Sequence, residues 1–363
     1  MQRLRFLLPI GLAVTTSLVA CKKKETKPAD PPKTTEPTPP PTTGSDGSGS
    51  AGGMAGGSAG SGSDGSAATP ADANTTDSDL AAHVMMNLDE VKEWKPVPSL
   101  PAGATMTVLE GAPPFGPGKG FAFLLKFPKN YKIPPHTHLV SERVTVLSGS
   151  LQFGHGEKWD PKALKEVKQG GIVIVPAGHA HFVNTKTDVV VQLQGVGPWG
   201  IHYIDPKDDP RKPVPEKPAD VAHDTDFEQD AVQMNLADIK WNPAPPSLPA
   251  GAQIAVIEGK PPFPGGKSFV FRLKMPDGYK IPVHHHMVTE RVVVTSGTLK
   301  FGTGDKWDDK ALKDVKAGGI AYMPREHKHF VQAKGETTVQ LQGVGPWGIV
   351  YANPDEDPRN AKK

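Results

Sequence analysis

The 363-residue chain contains only one cysteine, Cys21, which lies near the N-terminus. The rest of the chain therefore cannot form a disulfide, bind a metal through a thiolate or carry a cysteine nucleophile. The stability of any folded region after this point must come from its hydrophobic core.

An excess of charge of one sign is also missing. The sequence has 41 Lys and Arg residues against 39 Asp and Glu residues, which gives a formal net charge of +2. The two signs are interspersed along the chain, so no basic stripe is present that would bind a phosphate backbone. We therefore expect no nucleic-acid partner.

The apolar run at the N-terminus, Phe6 to Val19, is too short for a comfortable membrane span and follows two arginines. This arrangement predicts a signal peptide over residues 1–21. Its last four residues, LVAC, resemble a bacterial lipobox, which implies cleavage before Cys21 and lipidation of its sulfur. The alternative is a plain secretory signal with an incidental cysteine.

Lipidation would anchor the chain in the bacterial cell envelope. The absence of Asp after Cys21 favours the outer membrane, facing the periplasm or the cell surface.

Residues 22–79 are rich first in Pro and Thr and then in Gly, Ser and Ala. They have almost no large apolar side chains for a core, so we predict a disordered tether.

The length that remains after residue 79 suffices for two domains of ordinary size. We place the first at residues 80–210 and the second at 232–363, joined by a linker over 211–231. We expect the two domains to pack against each other.

The two predicted domains are copies of one another. With an offset of 148 residues, the run VQLQGVGPWGI recurs at Val191 and Val339, and the run LPAG recurs at Leu100 and Leu248. An offset that holds over this distance without a gap indicates tandem duplication of one domain.

The same offset repeats a set of side chains typical of metal sites. Three histidines and one glutamate of the first copy have identical counterparts in the second: His136, His138, Glu142 and His181 correspond to His284, His286, Glu290 and His329. Imidazole nitrogens with one carboxylate oxygen suit a divalent transition metal, and the set does not distinguish Mn, Fe, Ni, Cu and Zn. We therefore predict two metal ions per chain, one in each copy.

Short segments rich in Val, Ile, Phe and Thr are separated by Gly and Pro in both copies, which predicts an all-β barrel or sandwich. The first copy has Thr105–Glu110, Gly120–Phe127, Arg143–Ser148, Ile172–Val175 and Val189–Gln194, and the second has Gln253–Glu258, Ser268–Lys274, Arg291–Ser296, Ile320–Met323 and Thr338–Gln342. If the chain is extended here, the even-numbered His136, His138 and Glu142 share one face with the apolar positions that follow. The metal would then lie at one end of an apolar interior, with His181 supplied by another strand.

On these residues the chain resembles the cupins, and its duplication resembles a bicupin. The first cupin motif, G-x5-H-x-H-x3-E-x6-G, fits copy two in full from Gly278, whereas copy one has Asn130 in place of the opening glycine. The second motif, G-x5-P-x-G-x2-H-x3-N, fits copy one from Gly170 to His181, with its closing Asn184 one residue early. The resemblance implies two tandem jelly-roll barrels, each a double-stranded β-helix with a metal inside.

Copy two departs from the second motif at two positions. Glu326 replaces the turn glycine, and Gln332 replaces the closing asparagine. We expect a differently shaped turn at Glu326. Asn130 in copy one is a milder departure, because asparagine tolerates unusual backbone angles.

Two further histidines, His179 and His327, share parity with the proposed ligands. The cupin spacing selects His181 and His329 instead. We therefore expect His179 and His327 at the rim of the pocket or directly behind the ligands.

The repeated run VQLQGVGPWGI leaves two assignments open. Trp199 and Trp347 can floor a pocket, or they can pack between the copies or over the barrel end. Two pairs of glutamines can contact a substrate, although a polar face directed outward is the favoured interpretation: Gln192 with Gln194, and Gln340 with Gln342.

The reaction is not specified by these residues. Four protein ligands leave positions free on a metal that prefers five or six, which permits Lewis-acid chemistry or dioxygen binding. The same fold and ligands serve oxygenases, isomerases, decarboxylases and non-enzymatic binders.

Two hypotheses for the function remain. One is a metal-dependent dioxygenase or related oxidoreductase acting on a small organic molecule, which the presence of two intact sites favours. The other is a non-enzymatic binder of a small ligand or metal, in sensing or storage, which the lipid tether and the lack of a further acid–base pair favour.

Overall fold

A computed structural model describes residues 80–216 and 230–361, which form β-strands and short 3-10 turns. The turns are Leu88–Glu90, Leu236–Asp238, Asp309–Ala311, Pro354–Glu356 and Pro358–Asn360. Within the described residues, no helix has the length and apolar character that crossing a membrane requires. The predicted signal peptide with Cys21, the predicted tether and most of the predicted linker over 211–231 lie outside these residues.

We refer to residues 80–216 as repeat one and to residues 230–361 as repeat two. The strands of repeat one are β1 (Val84–Met86), β2 (Lys95–Pro96), β3 (Thr105–Glu110), β4 (Gly120–Phe127), β5 (Lys132–His138), β6 (Glu142–Ser148), β7 (Ser150–His155), β8 (Lys165–Lys168), β9 (Ile172–Val175), β10 (His181–Thr185), β11 (Val189–Val196) and β12 (Ile201–Tyr203). The strands of repeat two are β13 (Val232–Met234), β14 (Asn242–Pro243), β15 (Gln253–Glu258), β16 (Ser268–Met275), β17 (Lys280–His285), β18 (Glu290–Thr303), β19 (Lys313–Lys316), β20 (Ile320–Met323), β21 (His329–Val344) and β22 (Val350–Tyr351).

The strands of repeat one form two antiparallel layers around an apolar core. One layer has the order β13-β9-β6-β11-β4-β3-β2, and the other has the order β12-β5-β10-β7-β8. Repeat two has the same arrangement, but β18 and β21 run through both layers and join them into one sheet of ten strands. Val144 and Val146 lie in the core of repeat one, on the face that parity predicted. The predicted all-β fold with two jelly-roll barrels is confirmed.

The first strand of each repeat pairs with the barrel of the other repeat. Strand β1 pairs with β20, where Val84 lies opposite Tyr322, and β13 pairs with β9, where Val232 lies opposite Ile174. Each barrel therefore contains one strand that comes from the other half of the sequence.

An asparagine directly after each exchanged strand holds it in place. The Asn87 side chain accepts a hydrogen bond from the Lys316 backbone N–H at 2.8 Å and donates one to the Asp314 carbonyl at 3.1 Å. Asn235 makes the same two hydrogen bonds to the backbone of repeat one, also at 2.8 and 3.1 Å. These bonds satisfy backbone groups of β19 and β8, so each exchanged segment contacts a second strand of the other barrel.

Two buried ion pairs also join the repeats. The Arg143 guanidinium donates to both carboxylate oxygens of Glu258, at 2.7 and 2.5 Å. Arg291 makes the reciprocal pair with Glu110, at 2.6 and 2.5 Å. All four side chains are buried, so each charge depends on its bidentate partner for compensation.

The same interface contains the glutamines of the repeated run. Gln192 Nε2 donates to the Tyr322 hydroxyl at 2.9 Å, and Gln340 Nε2 donates to the Thr145 hydroxyl at 2.8 Å. Both glutamines are fully buried. Both glutamines therefore face outward from their own barrel, as predicted, and they are buried because the other repeat covers this surface.

Unusual backbone angles occur where each repeat departs from the cupin motifs. Asn130 has φ of 63°, close to the 74° of its glycine counterpart Gly278. Glu326 has φ of 61°, against 73° for Gly178. The Glu326 N–H donates to the His286 carbonyl at 2.7 Å, and the Gly178 N–H donates to the equivalent His138 carbonyl at 2.8 Å. The expectation of a differently shaped turn at Glu326 is wrong. The glutamate adopts the left-handed conformation that glycine would adopt more easily.

Candidate metal centres

Three histidine rings converge inside the barrel of repeat one. His136 and His138 lie on β5 and His181 begins β10, and the pairing of these strands sets His181 directly opposite His136. One nitrogen from each ring lies within 4.8 Å of the other two. All three residues are buried, so the cluster is shielded from bulk water.

The other nitrogen of each ring is bound to a backbone carbonyl. Nδ1 lies 2.7 Å from the Pro134 oxygen in His136, 2.7 Å from the Gly200 oxygen in His138 and 3.0 Å from the His179 oxygen in His181. A carbonyl only accepts, so each Nδ1 carries the proton and each Nε2 presents a lone pair. The backbone thus fixes the tautomer that a metal ligand needs.

Glu142, at the start of β6, contacts two of these rings. Its Oε2 lies 3.2 Å from His181 Nε2, and its Oε1 lies 3.6 Å from His138 Nε2. The carboxylate is buried. It adds a negatively charged oxygen donor on one side of the three imidazoles.

Repeat two reproduces this cluster. Nδ1 of the three rings lies 2.6 to 2.9 Å from a carbonyl, for His284, His286 and His329. The Glu290 oxygens lie 3.0 Å from His329 Nε2 and 3.4 Å from His286 Nε2. Each of the eight predicted ligands therefore lies in one of two matching clusters.

Burial and mutual contact perturb the pKa values of these groups. Burial, together with the neighbouring rings, lowers the pKa of His136 well below its ordinary value, and burial lowers the pKa of His138 to about 4. Burial alone would raise the pKa of Glu142, but His138 and His181 outweigh it and lower the pKa. The pKa values of His284 and Glu290 are lowered well below their ordinary values for the same reasons. The lowered pKa values of His136, His138 and His284 favour neutral rings, and those of Glu142 and Glu290 favour ionised carboxylates, which are the protonation states that bind metal.

The donor atoms facing the centre of each cluster have no hydrogen-bond partner. In repeat one these are Nε2 of His138 and His181 and Oε2 of Glu142, and in repeat two they are Nε2 of His286 and His329 and Oε2 of Glu290. The short Nε2–Oε2 distances are not aligned as hydrogen bonds. Buried polar atoms without partners are costly, and a cation among them would satisfy all of them together. The residues therefore fit a divalent transition metal.

An apolar cavity adjoins each cluster. Chamber one, in repeat one, has a volume of about 270 Å³, and chamber two, in repeat two, has a volume of about 440 Å³. The apolar side chains around chamber one include Met106, Phe115, Phe123, Leu125, Leu193 and Trp199. Each chamber thus offers an apolar volume that ends at the histidine cluster.

A tryptophan stacks on one histidine of each cluster. The Trp199 ring lies 4.1 Å from the His138 ring at an angle of 15°, and the Trp347 ring lies 4.0 Å from the His286 ring at 16°. Each tryptophan also lines its chamber. Of the two roles that the sequence left open, the structure shows the pocket wall.

His179 and His327 contribute to the clusters through their backbone. The carbonyl of each binds Nδ1 of the ligand two residues later, at 3.0 and 2.9 Å. The His179 ring itself turns away and lies 3.1 Å from Nδ1 of His155.

The sequence did not predict the Pro134 and Gly200 carbonyls that orient His136 and His138, because any residue type supplies a backbone carbonyl.

A family model described as a domain of unknown function, DUF4437, matches residues 118–347. The chain belongs to this family. The match includes both histidine clusters, and the DUF4437 region therefore spans both barrels. No protein of curated function matches the chain.

Several solved structures are similar to this DUF4437 protein. A provisionally assigned dioxygenase from Nostoc punctiforme has a TM-score of 0.51 at 12% identity, covering 75% of this chain and 84% of its own. A cupin 2 conserved barrel domain protein from Leptotrichia buccalis has a TM-score of 0.47 at 13% identity, covering 74% and 99%. An oxalate decarboxylase from Lactobacillus farciminis has a TM-score of 0.45 at 12% identity, covering 76% and 90%.

Proposed function

We propose that each barrel binds one divalent transition metal through three histidines and one glutamate. The ligands are His136, His138, Glu142 and His181 in repeat one and their counterparts in repeat two. The observation that supports this most directly is the set of buried nitrogen and oxygen atoms without partners at each cluster centre. The donor set suits Mn, Fe, Ni, Cu or Zn.

We further propose that the protein is a metal-dependent dioxygenase or related oxidoreductase acting on a small organic molecule. A metal in such a site supplies Lewis acidity or activates dioxygen. The chain's own residues would hold the metal, exclude water and keep the substrate beside the cluster within an apolar wall. Apart from the clusters, the described chamber linings contain no histidine, carboxylate, lysine or tyrosine to serve as a general base. A reaction in these chambers would therefore depend on the metal rather than on a side-chain general base.

The same apolar linings support a second candidate, a non-enzymatic protein that binds a small ligand or the metal itself. A wall without acid–base groups serves binding as well as metal chemistry. Together with the predicted lipid tether, this would suit sensing or storage at the cell envelope.

Elemental analysis of the protein, purified without chelator or His tag, tests metal binding and separates the candidates. We expect about two metal equivalents per chain. A redox-active metal with oxygen uptake on a panel of small acids and phenols supports the enzyme. Zinc without turnover supports the binder, and absence of metal after reconstitution would refute metal binding and with it the metal-dependent enzyme.

The ligand assignment is tested by a double variant, His138→Ala/His286→Ala. We expect it to fold, by circular dichroism, but to lose both metal equivalents, because each site loses a ligand while the apolar core remains. A matched control is His83→Ala/His155→Ala, which removes two histidines outside the clusters and should keep both equivalents. Retention of metal by the first variant contradicts the assignment.

We also propose that Cys21 carries the lipid that anchors the protein to the envelope. Detergent-phase partitioning of the full chain tests this. The Cys21→Ser variant should move to the aqueous phase, whereas the lipidated chain should partition into detergent. Equal partitioning of the two would favour a plain secretory signal.

A further inference from the structure

The two chambers have almost the same walls. The residues that line chamber one recur at the offset of 148 residues in repeat two, except that Val97 and Met106 are replaced by Pro245 and Ile254. Each replacement exchanges one apolar residue for another. The counterparts of Pro98 and Arg211 do not line chamber two, whose wall includes Pro243 and Val256 in addition. The aromatic and aliphatic walls, the tryptophan and the histidine cluster are common to both.

Surfaces elsewhere on the repeats do not match in this way. At the interface between the repeats, Leu124 corresponds to Arg272, and Ile174 corresponds to Tyr322. All four residues are buried, so equivalent buried positions of the two repeats differ in polarity where the packing allows it. The matching chamber walls therefore indicate that both chambers hold the same class of ligand.

The charge at each cluster restricts what that ligand is. Three neutral imidazoles and one carboxylate around a divalent cation leave a net charge of +1 at the end of an apolar cavity. Arg211 lines chamber one, but its guanidinium is paired with Asp209 at 2.9 and 2.7 Å and adds no net charge. A ligand with one negative charge at the cluster would neutralise the site, whereas a second charge would lie against apolar side chains at high cost.

We propose that both chambers bind one class of ligand, a compact hydrophobic monoanion. Its single charged oxygen group lies at the histidine cluster, and its hydrocarbon part fills the chamber. This inference rests on the proposed metal binding, because the positive end of the chamber is the metal site. If the protein is an enzyme, this monoanion is the class of its substrate. If the protein is a binder, the monoanion is the class of its ligand.

The probe is a series of straight-chain monocarboxylates, titrated calorimetrically into the metal-loaded full chain. The Cys21→Ser form is used so that neither lipid nor detergent competes for them. Affinity should rise about threefold to fourfold for each added methylene from butanoate to octanoate, since each group is removed from water. About two octanoates should bind per chain, because both chambers are lined alike.

Two matched compounds separate the charged end from the apolar end. Octanol has the chain without the charge, and suberate has a second carboxylate at the far end. Both should bind at least tenfold more weakly than octanoate. Affinity independent of chain length, or suberate binding as tightly as octanoate, would overturn the proposal.

A pair of variants locates the binding. Met106→Glu/Ile254→Glu places a carboxylate in each chamber wall and should weaken octanoate binding at least tenfold with the metal retained. The control Ile204→Glu/Val350→Glu adds the same charges at exposed positions outside the linings and should leave binding unchanged. Unchanged binding in the wall variant would place octanoate elsewhere and refute the inference.

Failure of this inference is distinguishable from failure of the proposed function. The metal content of each sample is measured before titration. A chain with two metal equivalents that does not bind octanoate refutes the monoanion alone. A chain without metal that binds octanoate as tightly as the loaded chain refutes the placement of the charged group at the cluster.

Discussion

At the scale of single residues, one histidine of each cluster is fixed both by a backbone hydrogen bond and by stacking on a tryptophan ring. His138 is fixed at its edge by the Gly200 carbonyl, 2.7 Å from Nδ1, and on its face by the Trp199 ring. An imidazole held in both ways has little freedom to rotate when a metal binds or leaves. Such prior ordering of ligands raises metal affinity, because less side-chain entropy is lost on binding.

Replacing the stacked tryptophans tests this contribution. Trp199→Phe/Trp347→Phe should weaken metal binding roughly threefold to tenfold, since an aromatic contact contributes about 0.5–1.5 kcal/mol beyond its buried area. The measurement is competition with a chelator of known affinity. The control Trp159→Phe/Trp307→Phe changes tryptophans that pack on Phe182 and Phe330, away from the clusters. Equal effects in both variants would indicate a general loss of stability instead.

The lowered histidine pKa values predict acid sensitivity of the metal-free protein. An unfolded histidine binds a proton near pH 6.5, whereas the pKa of folded His138 is about 4. Between these values the unfolded state binds more protons, so stability falls as pH falls through this window. The lowered pKa of Glu142 acts in the same direction at lower pH, where its ionised form is lost.

Urea denaturation of the metal-free protein at pH 7, 6, 5 and 4 measures this effect. We expect His138 alone to contribute a loss of up to about 3 kcal/mol in the free energy of unfolding between pH 6.5 and 4. His138→Gln should reduce the dependence by this contribution, because the replaced side chain does not titrate. An unchanged slope in this variant would show that other groups determine it.

At the scale of single elements, the turn after β6 explains why the first cupin motif ends in glycine. Gly149 has φ of 75°, and a Cβ built there would lie 2.1 Å from the Asp188 carbonyl oxygen. Gly178 has a similar φ of 73°, but a Cβ there meets nothing within 4 Å. The two glycines thus share a conformation and differ in the space around them.

This difference predicts unequal costs for the same substitution. Gly178→Ala should destabilise the protein by about 1 kcal/mol, because only the left-handed backbone is penalised. Gly149→Ala adds a collision with backbone and should cost several kcal/mol or prevent folding. Thermal denaturation of the two variants measures the difference. Similar melting temperatures would contradict the collision.

Sequence periodicity predicted some strands and missed others for physical reasons. The bounds of β3, β4 and β9 agree with the prediction, because these strands are rich in β-branched and aromatic residues. Strand β5 contains two prolines and two histidines, and its extended form was inferred only from the parity of the proposed ligands. Strand β1 has three residues and pairs with β20 more than 200 residues away. Such pairing leaves no local signal in the sequence.

The same limit applies to the candidate site. Its eight proposed ligands were predicted from residue type and the repeat, since His and Glu at this spacing are distinctive. The carbonyls that orient the rings and the burial of Gln192 and Gln340 depend on how distant segments pack. Residue type alone does not report such packing.

At the scale of the whole molecule, exchanged strands and reciprocal ion pairs join the two barrels. Arg143 and Glu258 come from different repeats and are 2% and 1% exposed. Removing one partner leaves a buried charge without compensation, which costs far more than the pair contributes. The two barrels should therefore unfold together, and damage at their interface should destabilise both.

We predict that Arg143→Ala lowers the free energy of unfolding by about 3–5 kcal/mol, measured by urea denaturation. Arg143→Met/Glu258→Leu should recover most of this loss, because neither charge remains to be buried. The control is Lys334→Ala, which breaks a 2.9 Å ion pair with Asp314 at the surface and should cost less than about 1 kcal/mol. Circular dichroism and tryptophan fluorescence should report one transition in every variant, since strands β1 and β13 keep the barrels joined. Two separated transitions in Arg143→Ala would show that each barrel unfolds independently.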